Sequence, residues 1–358
     1  MEIDVLIVGA GPAGSTTARY CAGKNLDVLI IDRRKEIGYP VQCGELLPGV
    51  REMYSIFPKG MNLEELFALD PRLEIWENDH VDIISPGGRQ YRLEFKSFSL
   101  DRRSFDKHLA KLAVEAGARV ETGASLLSIR DGIARTTMGD MKAKVIVGAD
   151  GPTSRTAREA GMAAPSALYP AITCKAQGDF GRDVKMYFGS VAPCGYAWII
   201  PKRSGANIGV GFRAESTDKR PSDVFSGFIS KLGCKYSDVS MGLVPVSGPA
   251  RYTVKGNVLL VGDAAGLVMA TNGGGIPTAM IAGRIAGEVI RAHFKGDAKL
   301  EEYDVRWRGV MEGPLKTSLR TRKLANIAFA WDPLLGLAMY VLGRRGLDRA
   351  IRCKRALI

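Results

Sequence analysis

A polar loop, Tyr39 to Glu45, carries one cysteine and one acid two positions apart. Thiol and carboxyl groups both transfer protons, so Cys43 and Glu45 are candidates for proton chemistry beside a cofactor. The loop follows a strand–helix–strand pattern, which should place it over the carboxyl edge of a parallel sheet. A lone cysteine is more often inert packing, and the loop alone leaves both interpretations open.

An aromatic pair lies in the segment Pro193 to Pro201. Side chains alternate across a strand, so Tyr196 and Trp198 are predicted to share one face. Two ring faces side by side would suit a flat ring or an unsaturated hydrocarbon. The alternative is an ordinary aromatic pair in the core.

The third candidate is the stretch from Asn257 to Gly283. A short apolar strand runs into Gly262-Asp263, and the glycine run Gly273 to Gly275 then opens a helix. An acid at a strand end can bind a sugar hydroxyl, and the N–H groups of a helix N-terminus favour negative charge on an electron-rich ring. An ordinary strand, turn and helix is the competing interpretation.

The element that would position these groups is a dinucleotide fingerprint near the start of the chain. An apolar run, Ile3 to Val8, leads into GAGPAG, a helix follows, and the next strand ends in Asp32. Here Gly9 makes the turn, Gly11 lets the backbone approach a pyrophosphate, and Gly14 lets helix and strand pack. Asp32 can bind ribose hydroxyls. The context predicts FAD or NAD, and the lack of a second GxGxxG in the sequence favours FAD, with electrons delivered by another carrier.

Two further segments bring polar groups toward the same edge. Asp101-Arg102-Arg103 opens a predicted helix, where Arg102 could pair with a phosphate or a ring carbonyl. A solvated arginine is the alternative. Later, a hydrophobic strand ends in Ala149-Asp150-Gly151, with Ser154 and Arg155 close behind, which predicts a return to the nucleotide-binding sheet.

Alternating strands make up most of the remaining chain. Leu73 to Phe95 alternates around the turn Ser85 to Gly88, and Ala171 to Val246 reads as short antiparallel strands. The predicted fold class is α/β, a Rossmann-type FAD-binding domain with an inserted antiparallel-sheet substrate domain and a short helical C-terminal region. The predicted boundaries are 1–70, 99–163 and 254–298 for the FAD-binding domain, 71–98 and 164–253 for the substrate domain, and 299–358 for the C-terminal region.

Charge and cysteine usage restrict the partners. Lys and Arg number 50 against 38 Asp and Glu, and this net charge of +12 points to lipid headgroups, a phosphorylated substrate or an acidic electron carrier. Nucleic acid is disfavoured because the basic residues are scattered and no reading motif accompanies them. Six widely spaced cysteines without CxxC predict a reducing, cytoplasmic compartment and no disulfide framework or metal site. No signal peptide is expected, because the chain begins directly with a strand.

The apolar run Leu324 to Gly343 is interrupted by Asp332-Pro333, which argues against a simple transmembrane helix. Because Lys323 and Arg344-Arg345 flank it, the run predicts a bent or interfacial helix pair touching the inner face of a membrane. A buried core hairpin is the alternative.

Together these residues resemble the geranylgeranyl reductase family of flavoproteins, within the larger group that shares the fold of p-hydroxybenzoate hydroxylase. The elements shared with that larger group are GAGPAG at 9 to 14, Asp32, Arg102-x-x-Phe105-Asp106, Ala149-Asp150-Gly151 with Ser154 and Arg155, Gly262-Asp263, and the glycine run before Ile276. The family-specific part is Pro193-x-x-Tyr196-x-Trp198-x-x-Pro201, with Ile200 in place of Phe, plus the loop that carries Cys43. Members saturate isolated double bonds in geranylgeranyl chains of archaeal ether lipids, chlorophyll precursors or quinones.

The resemblance implies an FAD-dependent reductase of prenyl lipids, supplied with electrons by ferredoxin or NAD(P)H. Cys43, Tyr196 and Trp198 would be catalytic: a proton arrives from the Cys43 side of the loop, or from water held there, while the two ring faces stabilise positive charge on the alkene. The N–H groups of Gly274 and Gly275 would hold the negative charge of the reduced ring. The predicted cofactor-binding residues are Gly9, Gly11, Ala13, Gly14, Asp32, Arg33, Cys43, Gly44, Arg102, Asp150, Gly151, Asp263, Gly274, Gly275 and Ile276.

Three other functions fit parts of the pattern. A flavin monooxygenase can share the fold. A dehydrogenase passing electrons to quinone is disfavoured, because its usual iron–sulfur cysteines are missing from the sequence. A non-catalytic, flavin-containing lipid-binding protein would leave the cysteine loop and the aromatic pair without a purpose.

Overall fold

The computed structural model describes residues 1–23, 25–57 and 61–356. The strands are β1 Glu2–Val8, β2 Val28–Asp32, β3 Leu46–Pro48, β4 Ile75–Ile84, β5 Gln90–Leu100, β6 Arg119–Thr122, β7 Leu126–Arg130, β8 Ile133–Thr136, β9 Gly139–Gly148, β10 Leu168–Gln177, β11 Val184–Phe188, β12 Tyr196–Lys202, β13 Gly205–Gly211, β14 Tyr236–Pro245, β15 Val254–Lys255 and β16 Val258–Leu260. The helices are α1 Pro12–Cys21, α2 Val50–Ile56, α3 Leu63–Leu66, α4 Arg102–Glu115, α5 Arg155–Glu159, α6 Pro221–Ile229, α7 Ile276–Phe294, α8 Glu302–Trp307, α9 Gly313–Ala328 and α10 Asp332–Ile351.

The first sheet has the strand order β15-β16-β9-β1-β2-β6, and its central strands run parallel. Val5, Leu6 and Ile7 of β1 are fully buried, because helices or strands cover both faces, as the continuous apolar run predicts. The β7–β8 hairpin extends β9. The carboxyl ends of β1, β9 and β16 therefore lie side by side, and the predicted return of residues 145–152 to this sheet is confirmed.

Helices α1 and α7 pack closely against each other beside this sheet. A Cβ at Gly283 would lie 2.6 Å from the Ala13 carbonyl oxygen, and one at Gly287 would lie 2.6 Å from that of Thr17. A Cβ at Gly262 would meet the Cβ atoms of both Ala13 and Ala279, at 2.9 and 3.3 Å. Small residues thus bring the first turns of both helices to the end of β16.

The second sheet has the order β14-β10-β13-β12-β11-β4-β5-β3. Neighbouring strands are antiparallel, as predicted, except that β4 and β11 run parallel. The predicted hairpin around residues 85–88 is confirmed by the β4–β5 pairing. β3 lies within residues 1–70 yet pairs with β5 in this sheet, and the domain boundaries stay a prediction.

Successive side chains of β12 point to opposite faces of the sheet, and a different hydrophobic cluster covers each face. Ala197 and Ile199 belong to the cluster packed against α6, whereas Trp198 belongs to the cluster that includes Leu335 and Met339 of α10. The predicted break at residues 332–333 is confirmed, since α9 ends at Ala328 and α10 begins at Asp332. α10 is interrupted at Gly343, where φ is 57°. Across the described ranges, no helix is both long and apolar enough to cross a membrane.

Candidate functional site

The N-terminus of α1 forms an open backbone cradle after β1. Packing requires two of its glycines: Gly9 has φ +110°, and a Cβ at Gly14 would lie 1.9 Å from the Gly9 carbonyl oxygen. Gly11 differs, because its φ is −75° and no atom lies within 4 Å of where its Cβ would be. Gly11 is also the N-cap and makes no side-chain cap bond. The cradle therefore fits a pyrophosphate, which would use the first-turn N–H groups and the space that Gly11 leaves open.

Asp32 lies beside this cradle at the end of β2. Its Oδ2 accepts a hydrogen bond from the Ala10 N–H at 2.8 Å, and its Oδ1 accepts one from the Arg34 N–H at 2.8 Å. These bonds fix the carboxylate and leave each oxygen a further lone pair for a ribose hydroxyl. Arg33, the next predicted residue, is exposed.

Asp263 follows β16 and lies beside the N-terminus of α7. A Cβ at Gly275, the N-cap of that helix, would be 3.0 Å from Asp263 Oδ1. Burial raises the pKa of Asp263 to about 6, and the Arg102 guanidinium opposes this rise. Among the described residues its carboxylate accepts no hydrogen bond, so its oxygens are open to hydroxyl donors. Ile276, the first residue of α7, is buried.

The glycine loop before α7 bonds one of its own predicted N–H donors internally. The Gly274 N–H, predicted to face a reduced ring, donates instead to Asn272 Oδ1 at 2.9 Å. Asn272 also accepts the Tyr196 hydroxyl at its carbonyl oxygen and donates from Nδ2 to the Ile351 carbonyl oxygen. Asn272 thus joins the glycine loop, the aromatic strand and the end of α10, and Gly275 is left as the candidate N–H donor.

Arg102 is held inside the site rather than solvated, so that alternative is wrong. Its guanidinium makes a two-point ion pair with Asp106, at 2.9 and 2.8 Å, one turn further along α4. Burial lowers the pKa of Arg102, but the nearby Asp106 and then the Cys43 side chain raise it above the ordinary value. Arg102 therefore stays charged next to Cys43 and within electrostatic reach of Asp263.

The structure brings the aromatic pair and the cysteine loop together. The rings of Tyr196 and Trp198 lie 5.9 Å apart between centroids, as their shared strand face predicts. A Cβ at Gly44 would be 3.5 Å from Trp198 Nε1, so the cysteine loop packs against the N–H edge of the indole. A Cβ at Gly273 would be 3.6 Å from the Tyr196 hydroxyl. Cys43, the two rings and the glycine loop therefore surround one region.

A buried polar network behind this region was missed at the sequence level. Asn207 of β13 donates from Nδ2 to the Cys43 carbonyl oxygen and to Glu45 Oε2, both at 2.9 Å. Its Oδ1 accepts the Trp198 indole N–H at 2.8 Å. Glu45 Oε2 also accepts from Lys202 Nζ at 2.5 Å. An amide inside an apolar strand was the available signal, but its partners lie far away in the sequence.

A small cavity reaches this network from the outer side of the loop. It has a volume of about 50 Å³, and its polar lining includes Glu45, Thr173, Lys175, Asn207 and Asp238. Such a volume can hold a few water molecules, and polar partners are available to them. Water in this cavity would therefore lie beside the buried Glu45 and Asn207.

Asp150 is engaged in local structure. Its Oδ1 accepts the Ser154 hydroxyl at 2.5 Å, and its Oδ2 accepts the backbone N–H groups of Arg155 and Thr156 at 2.8 and 2.9 Å. Gly151 has φ +83° with open space around its Cβ position. Cofactor contact by these two residues stays a prediction, and the visible role of Asp150 is to cap α5.

Two family models match this chain, one in the second sheet and one in the segment with the cradle and the cysteine loop. A family model described as geranylgeranyl reductase catalytic domain matches residues 173–244, which contain β12 and β13. A model described as NAD(P)-binding Rossmann-like domain matches residues 7–64, which contain the cradle and the cysteine loop.

Whole proteins show the same similarity. The chain is 37% identical to the digeranylgeranylglycerophospholipid reductase of Methanosarcina acetivorans, over 85% of this chain and 80% of the relative. It is 35% identical to digeranylgeranylglycerophospholipid reductase 2 of Methanothermobacter thermautotrophicus, over 91% and 88%. A crystal structure of a geranylgeranyl bacteriochlorophyll reductase-like protein from Thermoplasma acidophilum superposes with a TM-score of 0.80 at 27% identity, covering 100% of this chain and 93% of that one.

Proposed function

The chain belongs to the geranylgeranyl reductase family, and from this we propose that it is an FAD-dependent reductase that saturates isolated double bonds of geranylgeranyl chains in ether-lipid biosynthesis. The observation that carries this proposal is the meeting of Cys43, charged Arg102 and the Tyr196–Trp198 pair beside the glycine loop. A thiol, a cation beside it and two ring faces are the groups that protonation of an electron-rich alkene requires.

The residues of the cradle and of the loop before α7 fit FAD. The first turn of α1 would hold the pyrophosphate, and Asp32 the ribose hydroxyls. Asp263 would bind hydroxyls of the ribityl chain, and the Gly275 N–H at the positive end of α7 would lie near the ring. When bound and reduced, FAD supplies the hydride for the alkene.

Cys43 is the proton donor in this proposal, because its neighbours are unsuited to the task. The Tyr196 hydroxyl already donates its hydrogen to the Asn272 carbonyl oxygen at 2.5 Å, and burial raises its pKa. Glu45 accepts hydrogen bonds at both carboxylate oxygens, as an ionised group does. Protonation breaks the S–H bond, forms a C–H bond at one alkene carbon and leaves a thiolate that Arg102 can balance.

Tyr196 and Trp198 then act on the other alkene carbon. Protonation leaves positive charge there, and in a desolvated site a ring face attracts a cation by about 2 kcal/mol or more. The second C–H bond consumes the hydride, so the double bond becomes saturated without any net charge on the lipid.

An anaerobic assay tests the function. FAD-loaded protein reduced by dithionite should convert a digeranylgeranyl glycerophospholipid into products that gain one hydrogen pair for each saturated bond, as measured by mass spectrometry. NAD(P)H and reduced ferredoxin, tested in place of dithionite, identify the electron donor. Oxygen-dependent NADPH consumption with an oxygenated product would instead indicate a monooxygenase, and reduced flavin that no prenyl lipid reoxidises would indicate a binding protein.

We also propose that the chain docks peripherally on a lipid surface through the α9–α10 surface. We define this surface by exposed apolar side chains, which are 58 to 70% exposed: Leu324, Ile327, Trp331, Leu337, Tyr340 and Val341. Exposed basic residues lie at its edges, namely Arg320, Lys323, Arg344 and Arg345. Apolar side chains with a basic border fit the acyl boundary and the anionic headgroups of a bilayer.

A charge placed on this surface should weaken vesicle binding. Trp331→Glu is expected to reduce co-sedimentation with anionic vesicles about tenfold or more, because a carboxylate would enter the acyl boundary in place of an indole. Val305→Glu is the matched control, since Val305 is 72% exposed but lies on α8 outside the α9–α10 surface. Equal loss in both variants, or none in either, would contradict docking through this surface.

A further inference from the structure

Asn207 uses every hydrogen-bonding position of its amide inside the second sheet. Its Oδ1 accepts from Trp198 Nε1 at 2.8 Å and from the Thr173 hydroxyl at 2.7 Å. Its Nδ2 donates to the Cys43 carbonyl oxygen and to Glu45 Oε2, both at 2.9 Å. The residue is 1% exposed, and a strand centre gives a buried amide no packing advantage over an apolar residue. The four partners therefore explain why an amide stands there.

Two of those partners belong to the proposed catalytic groups. The indole of Trp198 lies directly on β13, because a Cβ at Gly209 would be 2.3 Å from Trp198 Cζ2. The indole therefore packs against the backbone of β13, and its N–H group donates a hydrogen bond to Asn207. The Nδ2 atom of the same amide donates to the carbonyl oxygen of Cys43. One side chain thus sets the spacing between the proton donor and the ring.

Glu45 fixes the orientation of this amide. It is fully buried and has φ 64°, a conformation that costs a non-glycine residue about 1–3 kcal/mol. Its carboxylate accepts from Asn207, from Lys202 and from the backbone N–H of Arg102 at the start of α4. The N–H of Glu45 also points to the Cys43 sulfur, at 3.2 Å. A glycine at position 45 would relieve the backbone strain. It would also remove the carboxylate that prevents the Asn207 amide from flipping.

We propose that Asn207 is a positioning residue for the reduction: it locks the loop that carries Cys43 to the strand that carries Trp198, with Glu45 and Lys202 as its anchor. This inference rests on the proposed roles of Cys43 and Trp198. Proton transfer to carbon depends steeply on distance, and a misplacement of about 1 Å can cost on the order of 10²-fold in rate. Asn207 acts through the two groups that it holds and does not need to touch the substrate.

The first test measures the loop without turnover. In FAD-free protein, Asn207→Leu should raise the rate at which iodoacetamide alkylates Cys43 by about tenfold, because the loop loses its bond to β13 and opens more often. Peptide mass spectrometry follows each cysteine separately, and buried Cys21 and Cys353 report whether the fold is retained. Asn78→Leu is the matched control, since Asn78 is also a buried amide in this sheet, bonded to Ser99 rather than to the cysteine loop.

The second test separates positioning from general damage through pH. Asn207→Asp keeps the shape and the acceptor for Trp198 but places a second carboxylate beside Glu45. Like charges raise the pKa of one of the two carboxyl groups. Below that raised pKa the repulsion falls and one O–H donor returns, which can bond Glu45 or the Cys43 carbonyl oxygen but not both. Hence kcat of Asn207→Asp should be about 10²-fold low at neutral pH and should recover in part as the pH falls, with KM and FAD content unchanged.

The surroundings of the pair allow this titration. The cavity that Asn207 and Glu45 help to line places water close to the pair. The charged groups that face it from the packed elements are Glu45, Lys202, Arg102, Asp101, Lys175 and Asp238. Lys202 will lower the recovery pH, but it is already bonded to Glu45 and cannot neutralise both carboxylates. Asn78→Asp should show no such recovery.

The outcomes are decisive in either direction. Cys43 alkylation and kcat within about twofold of the wild type in Asn207→Leu would overturn the inference. If Asn207→Leu also exposes Cys21 and Cys353, its fold is lost, and Asn207→Asp decides: a pH profile parallel to the wild type overturns the proposal. A wild-type protein that reduces no prenyl lipid would sink the proposed function, while the alkylation contrast would still show whether Asn207 holds the loop.

Discussion

Gly11→Val is expected to abolish FAD uptake at working concentrations and to leave the apo-protein folded. The backbone at Gly11 has φ −75°, which valine adopts, and no atom lies within 4 Å of the new Cβ, so the fold has room for it. The side chain would occupy the space through which a pyrophosphate reaches the first turn of α1. Loss of two charge-assisted hydrogen bonds, each worth about 1.5–3 kcal/mol, corresponds to a fall of about 10²–10⁴-fold in affinity. Flavin fluorescence titration measures this fall.

Two further glycines provide controls for that variant. Gly14→Val should unfold or strongly destabilise the protein, because its Cβ would lie 1.9 Å from the Gly9 carbonyl oxygen. Gly227→Val places a Cβ in open space on α6, far from the cradle, and should keep FAD affinity. The poorer cap in Gly11→Val should cost the apo-protein only about 1 kcal/mol in a thermal unfolding experiment. Unchanged FAD affinity in Gly11→Val would mean that the pyrophosphate does not bind at α1.

Cys43→Ser should slow the reduction of the lipid by about 10²–10³-fold while FAD content stays at the wild-type level. A serine hydroxyl is a much weaker acid than a thiol, and an alkoxide beside Arg102 is harder to form than a thiolate. Anaerobic stopped-flow spectroscopy gives the rate directly, because prenyl lipid reoxidises the reduced flavin in a single turnover.

The control for this variant is Cys234→Ser. Cys234 is a partly buried free cysteine beside the second sheet, in the cluster that packs on α6 rather than on the aromatic face. It should leave the rate unchanged. A wild-type rate in Cys43→Ser would remove the thiol from the mechanism and shift attention to a water molecule held by the loop.

The sequence predicts those parts of the site that depend on neighbouring residues. Gly9, Gly11 and Gly14 follow a buried strand and open a helix, and each step of that pattern is local. The shared face of Tyr196 and Trp198 follows from strand alternation alone. The ion pair of Arg102 could also have been predicted, because Asp106 stands four positions later on the same helix face.

The remaining features depend on contacts between distant segments or on local competition. Asn207 meets Glu45 across 162 positions of sequence, and only the packing of the loop on β13 brings them together. The Gly274 N–H was assigned to the cofactor, but the Asn272 side chain two residues earlier captures it. Asparagine side chains commonly bond to the backbone two positions on, so this hydrogen bond could have been predicted from the sequence.

The three bonds of Asn272 have a practical consequence. The Asn272 side chain ties the end of α10 at Ile351 to the Gly274 N–H in the loop before α7, and the Asn272 carbonyl oxygen accepts the hydroxyl of Tyr196. Displacement of the last helix is therefore transmitted through Asn272 to the loop before α7. An affinity tag or fusion partner belongs at the amino end of this protein, where Met1 is exposed and lies apart from that link.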